Sequence, residues 1–334
     1  MADYLITGGC GFVGSHLAAA LLARGDGVVV LDNLSTGKRA NLAPEVRVIE
    51  GDVADPVAVA RAMEGCAGVF HLAGIASVAY CNEHWREGHQ TNQTGTVTVF
   101  EAAARSGRVP VVYTSSAAVY GDAGAGAVDE ARVPRPQTPY GVDKLGSELH
   151  GRIAMGVHGL PTVGLRPFNI YGPRQDPSSA YSGVISIFNS RLSQGLPVTV
   201  FGDGLQTRDF VFVSDVVRFL LAAMARAPEV AGQVFNICTG RTTTLLGLID
   251  TLARLHGVQA VVHHAEPRVG DKQHTLYSLR HTAICMRIIK SEAKVNIFNL
   301  AKNAGTSVDQ IERFYARFLP LSKEMARNLQ IFGD

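Results

Sequence analysis

From residue 3 to about 120, short apolar runs rich in β-branched residues alternate with stretches whose apolar positions recur at helical spacing. Tyr4–Thr7, Val28–Leu31, Arg47–Glu50, Gly68–His71 and Val111–Thr114 have the length and composition of buried strands, and Ser15–Arg24 and Val57–Met63 fall between them as helices. Strand and helix in alternation predict an α/β fold with a parallel, doubly wound sheet and helices on both faces. Ligands of such a sheet gather at the carboxyl ends of its strands, so the residues that close each apolar run carry the chemistry.

The first run closes in Thr7-Gly8-Gly9-Cys10-Gly11-Phe12-Val13-Gly14. Two glycine registers overlap here, Gly9/Gly11/Gly14 and Gly8/Gly11/Gly14. In either, glycine permits a tight turn and close backbone approach, and the free N–H groups at the start of the next helix face a pyrophosphate. Asp32 ends the second run about 20 residues on, where a carboxylate accepts hydrogen bonds from a ribose 2′-hydroxyl and repels a 2′-phosphate. NAD is therefore expected over NADP, with Lys38 and Arg39 leaving some tolerance for NADP; Asp-Asn-Leu-Ser-Thr-Gly is also turn chemistry. Asp52, after the third run, is placed to hold the adenine edge, and Leu72-Ala73-Gly74 lets the backbone come close to the cofactor. His71 is read as a packed structural histidine, since it stands where its strand is still buried.

Two later segments change the picture from binding to reaction. Thr114-Ser115-Ser116 sets hydroxyls at the end of the fifth run, and Tyr140 and Lys144 are spaced i, i+4, one helical turn apart on one face. An ammonium beside a phenol, with the positive nicotinamide ring near, stabilises the phenolate and lowers a pKa of about 10, so the pair can serve as a base.

Composition narrows the partners. At 334 residues the chain predicts one large or two interlocked domains, and a net charge of +2 with 18% charged residues gives no reason to expect nucleic acid or membrane as partner. The five cysteines are scattered, odd in number and without a Cys-x-x-Cys, so neither a disulfide framework nor a zinc site is expected. With Met-Ala-Asp leading into the first strand and no apolar run near the ~18 residues of a membrane span, a soluble cytoplasmic protein is expected.

With the glycine turn, Asp32, the hydroxyl strand end and the Tyr140/Lys144 pair together, the chain resembles the extended short-chain dehydrogenase/reductases, and within them the bacterial UDP-sugar 4-epimerases, from residue 3 to Asp271. Later stretches carry the narrower likeness: Arg166-Pro-Phe-Asn169-Ile-Tyr171-Gly-Pro-Arg174, the run 177–188, Phe201 through Arg208 to Asp215, and Arg268-Val-Gly-Asp271. The resemblance implies a Rossmann domain over 1–167, with 205–240 returning to it, and a nucleotide-sugar domain from 168–204 and 241–271. It implies that Tyr140 removes the 4-hydroxyl proton of a UDP-sugar, that Ser116 bonds the same oxygen, and that NAD takes the C4 hydride and returns it to the other face of a 4-keto sugar. NAD would be held by Gly8, Gly11, Phe12, Val13, Gly14, Asp32, Asn33, Ser35, Gly37, Asp52, Val53, Leu72, Ala73, Gly74, Asn92, Thr114, Tyr140, Lys144 and Pro167. The substrate would meet Ser77, Ser116, Tyr140, Asn169, Val184, Arg208, Arg268 and Asp271, with the two arginines on its diphosphate. Dehydratases of this superfamily carry an Asp-Glu pair, and decarboxylases a Glu, where this chain has Ala117 and Ala118, which favours a redox-neutral epimerase over either. A related nucleotide-sugar reductase or dehydratase, or a protein that binds NAD and UDP-sugar with little or no turnover because its C-terminus is replaced, stands as the alternative. The family's homodimer packs the helix that begins near Tyr140 and the one at Asn92–Arg105 into a four-helix bundle, so a homodimer is expected.

After Asp271 the likeness stops and the composition shifts. Only Gly305 and Gly333 of the 35 glycines lie beyond, and 272–334 holds ten Lys and Arg against five Asp and Glu. Residues 275–334 resemble the C-terminal end of phage-type tyrosine recombinases, with Arg280 at a phosphate-clamping arginine and Tyr315 at the nucleophile, but with Tyr277 at the usual histidine and no earlier arginine or lysine of that site. Strand exchange is not expected of such a fragment. A fused or recombined, mainly helical terminus in place of the family's last helices is.

Overall fold

The computed structural model describes residues 2–122, 126–176, 183–266 and 276–277; the recombinase-like stretch apart from Leu276 and Tyr277, with Arg280 and Tyr315, and the expected ligand residues Arg268 and Asp271 lie outside them. In the first part of the chain, strands β1 (Asp3–Thr7), β2 (Gly27–Asp32), β3 (Arg47–Glu50), β4 (Gly68–His71) and β5 (Val111–Thr114) alternate with α1 (Phe12–Ala23), α2 (Pro56–Met63), the short α3 (Val78–Glu83) and α4 (Trp85–His89), and α5 (Gly95–Arg105). Then come β6 (Gly126–Ala127), the long helix α6 (Pro139–His158), β7 (Thr162–Pro167), β8 (Asn169–Tyr171), α7 (Val184–Ser193), β9 (Val198–Phe201), β10 (Thr207–Arg208), β11 (Phe210–Phe212), α8 (Val213–Ala225) and β12 (Gln233–Ile237). The last described elements are β13 (Thr243–Thr244), α9 (Leu245–His256), β14 (Val262–Ala265) and β15 (Leu276–Tyr277).

Seven strands form one sheet in the order β12-β7-β5-β4-β1-β2-β3. Every pairing within it is parallel. The five strands expected from the apolar runs all fall in it, each within a residue of its expected bounds. Sequence order reverses beside β1, and this reversal opens a crevice at the strand carboxyl ends, where Thr7, Asp32, His71 and Thr114 stand. Strands buried on both faces explain why these runs read as continuously apolar rather than alternating.

Local chemistry sets the helices that frame the crevice. Helix α1 starts at Phe12, earlier than the apolar period suggests, because Gly11 in extended conformation caps it with no side chain at all. For α6, Thr138 caps the start by accepting from Gly141 N at 3.1 Å, Pro139 occupies the first turn, and Gly159 at φ +63° ends it left-handed. The helix expected at Asn92–Arg105 enters through a wide π turn at Gln90–Thr94 before α5 begins.

One core packs Leu5, Val29, Leu31, Ile49, Val69 and Val111 of the sheet against Val59, Met63, Val99 and Phe100 of α2 and α5. A second, separate core joins Phe188 and Leu192 of α7, Val198 and Val200 of β9, and Leu245, Leu248, Ile249 and Leu252 of α9. Two-stranded pairs β8–β11 and β10–β13 bring Asn169 and Arg208 to the crevice. No disulfide joins the four described cysteines, all of them buried. Among the described residues no helix is long and apolar enough to cross a membrane, and no cluster of His, Cys, Asp and Glu is arranged to hold a metal.

Candidate active site

The crevice opens into one cleft of about 1360 Å³, and eighteen of the residues expected to touch cofactor or substrate line it. Its floor is the glycine turn. Gly8 sits at φ +71°, and a Cβ there would lie 2.8 Å from the backbone of Ala73; a Cβ on Gly14 would lie 2.4 Å from Gly8 O. No side chain other than hydrogen fits either place, and the space so kept is backbone-lined and faces the start of α1. Asp32 closes β2 beside it, its Oδ2 accepting from Cys10 N at 2.9 Å and its Oδ1 from Leu34 N at 2.9 Å. The carboxylate thus braces both turns, and each oxygen keeps a second lone pair for a ligand hydroxyl. A Cβ on Gly37 would stand 3.0 Å from both Asp32 oxygens, so glycine there leaves the carboxylate open. The neighbouring cations are engaged elsewhere: Lys38 Nζ donates to Asp176 Oδ2 at 2.7 Å, and Arg39 donates to the carbonyls of Leu42, Ala43, Pro44 and Val46. The NADP tolerance expected from this pair therefore lacks a guanidinium free to take a 2′-phosphate. Asn33 Oδ1 accepts from the amide and hydroxyl of Ser35, shaping the same rim.

Behind the floor, a polar chain fixes His71. Thr96 Oγ1 donates to Asn92 O, so it accepts from His71 Nε2; Thr7 Oγ1 then donates to Nδ1 at 2.8 Å while accepting from Ala73 N. Both ring nitrogens are satisfied in the neutral form, and burial pushes the imidazole down to about 3. The histidine is structural, as its place in the strand implied: it ties the glycine turn to the wall at Leu72-Ala73-Gly74. Asn92 supports that wall from below, accepting from Ile75 N at 2.8 Å, rather than lining the cleft.

At the far end of the floor the expected reacting groups converge. Ser116 hydrogen-bonds the phenol of Tyr140, and Lys144 Nζ, buried beneath, donates to Thr114 O at 2.9 Å and stands 5.9 Å from the Tyr140 ring centroid. Burial raises the Tyr140 phenol above its ordinary range; among the opposing effects it is the Ser116 hydrogen bond, not the Lys144 charge, that pulls it down. Burial also lowers Lys144 to about 8, against the pull of Asp143. Ala117 and Ala118 face the same space, so no carboxylate joins the hydroxyls at those positions.

Opposite, Asn169 N and Nδ2 both donate to Asp209 O, and Arg208 NH1 donates to Thr207 O. Asp209, buried next to Arg208, accepts from Thr239 N, Thr239 Oγ1 and Gly240 N and so pins the loop behind them. Pro167 lines the cleft between the two sides. Besides Asn92, Thr114 and Lys144, three more expected residues stand back from it. Asp52 is exposed and accepts from Ala54 N, shaping its own turn while Gly51 and Val53 form the wall; Ser77 caps α3 by accepting from Tyr80 N; Val184 opens α7 next to the lining residue Gly183. The chain pattern gave no signal for Gln175 and Asp176 as lining residues, since their place depends on a crossing of the segment 172–176 over the α1 side. That crossing is held by Lys38 to Asp176 and by a hydrogen bond between His16 Nε2 and Pro173 O at 2.9 Å.

A doubly wound sheet with a glycine turn at its switch point, an acid after β2, and a buried tyrosine–lysine pair beside a serine is the frame of a dinucleotide-binding enzyme. Residues 4–238 match the model of the NAD dependent epimerase/dehydratase family. A UDP-glucose 4-epimerase of Mycolicibacterium smegmatis is 36% identical over 274 residues, covering 80% of this chain and 87% of that one. Among solved structures, a UDP-glucose 4-epimerase of Thermotoga maritima bound to UDP-glucose superposes with a TM-score of 0.80 at 33% identity, over 93% of this chain and 99% of that one. Another, from Thermus thermophilus in complex with NAD, superposes with a TM-score of 0.78 at 33% identity, over 94% and 99%. The chain belongs to the NAD dependent epimerase/dehydratase family, and its cofactor is NAD. It is a nucleotide-sugar epimerase or a related enzyme of that family.

Proposed function

We propose that the protein is a UDP-sugar 4-epimerase, interconverting UDP-glucose and UDP-galactose or their N-acetyl counterparts. The observation that carries this reading is that Ser116 and Tyr140 line the cleft together over a buried Lys144 that donates to Thr114 O, at a strand end where Ala117 and Ala118 supply no further acid or base. The cradle fits NAD: Gly8, Gly11 and Gly14 with the α1 amides for the pyrophosphate, Asp32 for a ribose, Val53 and Gly51 along one wall, and Tyr140 at the nicotinamide end, with Lys144 behind it. Bound there, NAD supplies the acceptor for a hydride from C4 and the donor that returns it. Tyr140 takes the proton of the 4-hydroxyl, and Ser116 holds the same oxygen through both halves of the reaction. Lys144, buried beneath the phenol, holds the strand end by donating to Thr114 O, while Ser116 opposes the burial that raises the Tyr140 phenol. Arg208 and Asn169 across the cleft anchor the diphosphate, so the sugar can turn while its nucleotide stays fixed.

The subunits pair through α5 and α6. Supporting this, Val142, Leu149, Ile153 and Val157 are exposed apolar residues that recur at helical spacing along α6. Incubation with NAD and UDP-galactose or UDP-N-acetylgalactosamine, followed by the anomeric proton signals, tests the activity. Appearance of the 4-epimer is expected, and its absence for every UDP-sugar tried sinks the reading. Tyr140→Phe is expected to lower kcat by roughly 10²–10⁴-fold with NAD still bound.

A further inference from the structure

Tyr140, Lys144 and Glu148 stand at successive turns of one face of α6, and three consecutive residues at the end of β5 meet them one for one. Thr114 O accepts from Lys144, Ser115 Oγ donates to Glu148 Oε1 at 2.5 Å, and Ser116 bonds Tyr140. Of these three ties, the one through Glu148 is anchored deepest. Arg166, from β7, grips Glu148 with both arms of its fork, Nε to Oε1 at 2.7 Å and NH2 to Oε2 at 2.6 Å, and the two side chains are only 5% and 6% exposed. Arg166 NH1 donates to Tyr120 Oη at 2.6 Å, Tyr120 donates to Asn236 Oδ1 of β12 at 2.7 Å, and Asn236 Nδ2 donates to Val128 O. Donors and acceptors run in one direction along this chain, so each side chain has a single orientation. None of Ser115, Glu148, Arg166, Tyr120 and Asn236 lines the cleft.

We propose that Ser115, Glu148 and Arg166 form a positioning clamp that fixes the end of β5 against α6 and thereby sets the distance and angle between Ser116 and Tyr140. The inference rests on Tyr140 and Ser116 being the proton-transferring pair. A buried ion pair adds little net stability compared with an apolar filling of the same volume, whereas the planar fork of arginine fixes direction. Ser116 follows Ser115 directly and lies in the extended conformation that ends the strand (φ −161°), so its hydroxyl moves with the backbone that Ser115 holds. Small displacements at such a pair are costly to rate and leave binding of the remote nucleotide unchanged.

Ser115→Ala removes one hydrogen bond and leaves the Glu148–Arg166 pair intact, which makes it the informative variant; Glu148→Gln is the second, should the first not fold. The NAD-loaded variant is expected to show a kcat about tenfold lower, with KM for UDP-sugar, UDP affinity and NAD content within about twofold of the parent. Because the Ser116 bond opposes the effect of burial on Tyr140, loosening it moves the acid limb of the kcat–pH profile to higher pH. The tyrosine ¹³Cζ signal of Tyr140, assigned with Tyr140→Phe, is expected to shift at fixed pH in the same variant. A parent-like pH limb and ¹³Cζ signal overturn the clamp, whether kcat is unchanged or falls together with NAD content and melting temperature. Should the parent itself form no 4-epimer, the proposed activity fails, and the ¹³Cζ signal still decides the clamp.

Discussion

Gly8 and His71 hold the cofactor floor by opposite means, one by lacking a side chain and the other by having both ends of its ring bonded. Gly8→Ala places a Cβ 2.8 Å from the Ala73 backbone at a left-handed φ, and both effects act against the fold and the cradle together. We expect this variant to lose NAD on desalting and to melt several degrees lower, roughly 1–3 kcal/mol of strain by the usual cost of such a backbone position. For His71, the folded protein holds the ring at about 3 against an ordinary value of 6.5, so the unfolded chain takes up the proton first. Stability from this group is fully present above pH 6.5 and is lost as pH falls from 6.5 towards 3. Between pH 7 and 5 this single group lowers the unfolding free energy by about 2 kcal/mol. Urea titrations at the two pH values measure it, and His71→Asn is expected to flatten that part of the pH dependence whatever its effect on stability at pH 7.

At the scale of elements, α6 presents two different faces. Its inner face carries Tyr140, Lys144 and Glu148 at four-residue spacing, and this face was legible in sequence for the first two residues only. Glu148 reads as one more acidic position on a helix until Arg166, eighteen residues on, is seen to bond it from β7. Removing one partner of so buried a pair typically costs about 3–5 kcal/mol, far more than the ~0–1 kcal/mol of the exposed Lys38–Asp176 contact. The outer face carries Val142, Leu149, Ile153 and Val157. Charging it with Leu149→Glu and Ile153→Glu is expected to convert a dimer to a monomer in sedimentation velocity while far-UV dichroism is unchanged. A parent that sediments as a monomer defeats that expectation.

For the whole molecule, Met1–Leu279 forms one compact unit and Arg280–Asp334 another. The cleft, both described cores and the seven-stranded sheet all belong to the first. A chain ending at Leu279 is therefore expected to melt cooperatively and to be stabilised by NAD and by UDP, read by thermal shift. Loss of both responses would place part of the binding function in the last 55 residues. The same truncation in the epimer assay separates binding from turnover.

Periodicity and local turn chemistry determined five of the seven strands of the sheet, the glycine turn, Asp32 and the Tyr140/Lys144 spacing, because each depends on residues within a strand, a turn or one helical turn of each other. What only the tertiary structure decided lies between distant segments. Lys38 and Asp176 are 138 residues apart, Tyr120 and Asn236 are 116 apart, and Asn169 meets Asp209 across 40. Asp52 and Arg39 show the converse, polar residues placed suggestively along the chain whose bonds go to their own turns. Local sequence fixes which backbone a segment adopts; which buried donor finds which acceptor is settled by the packing of seven strands and their helices, where an unpaired polar group is too costly to leave.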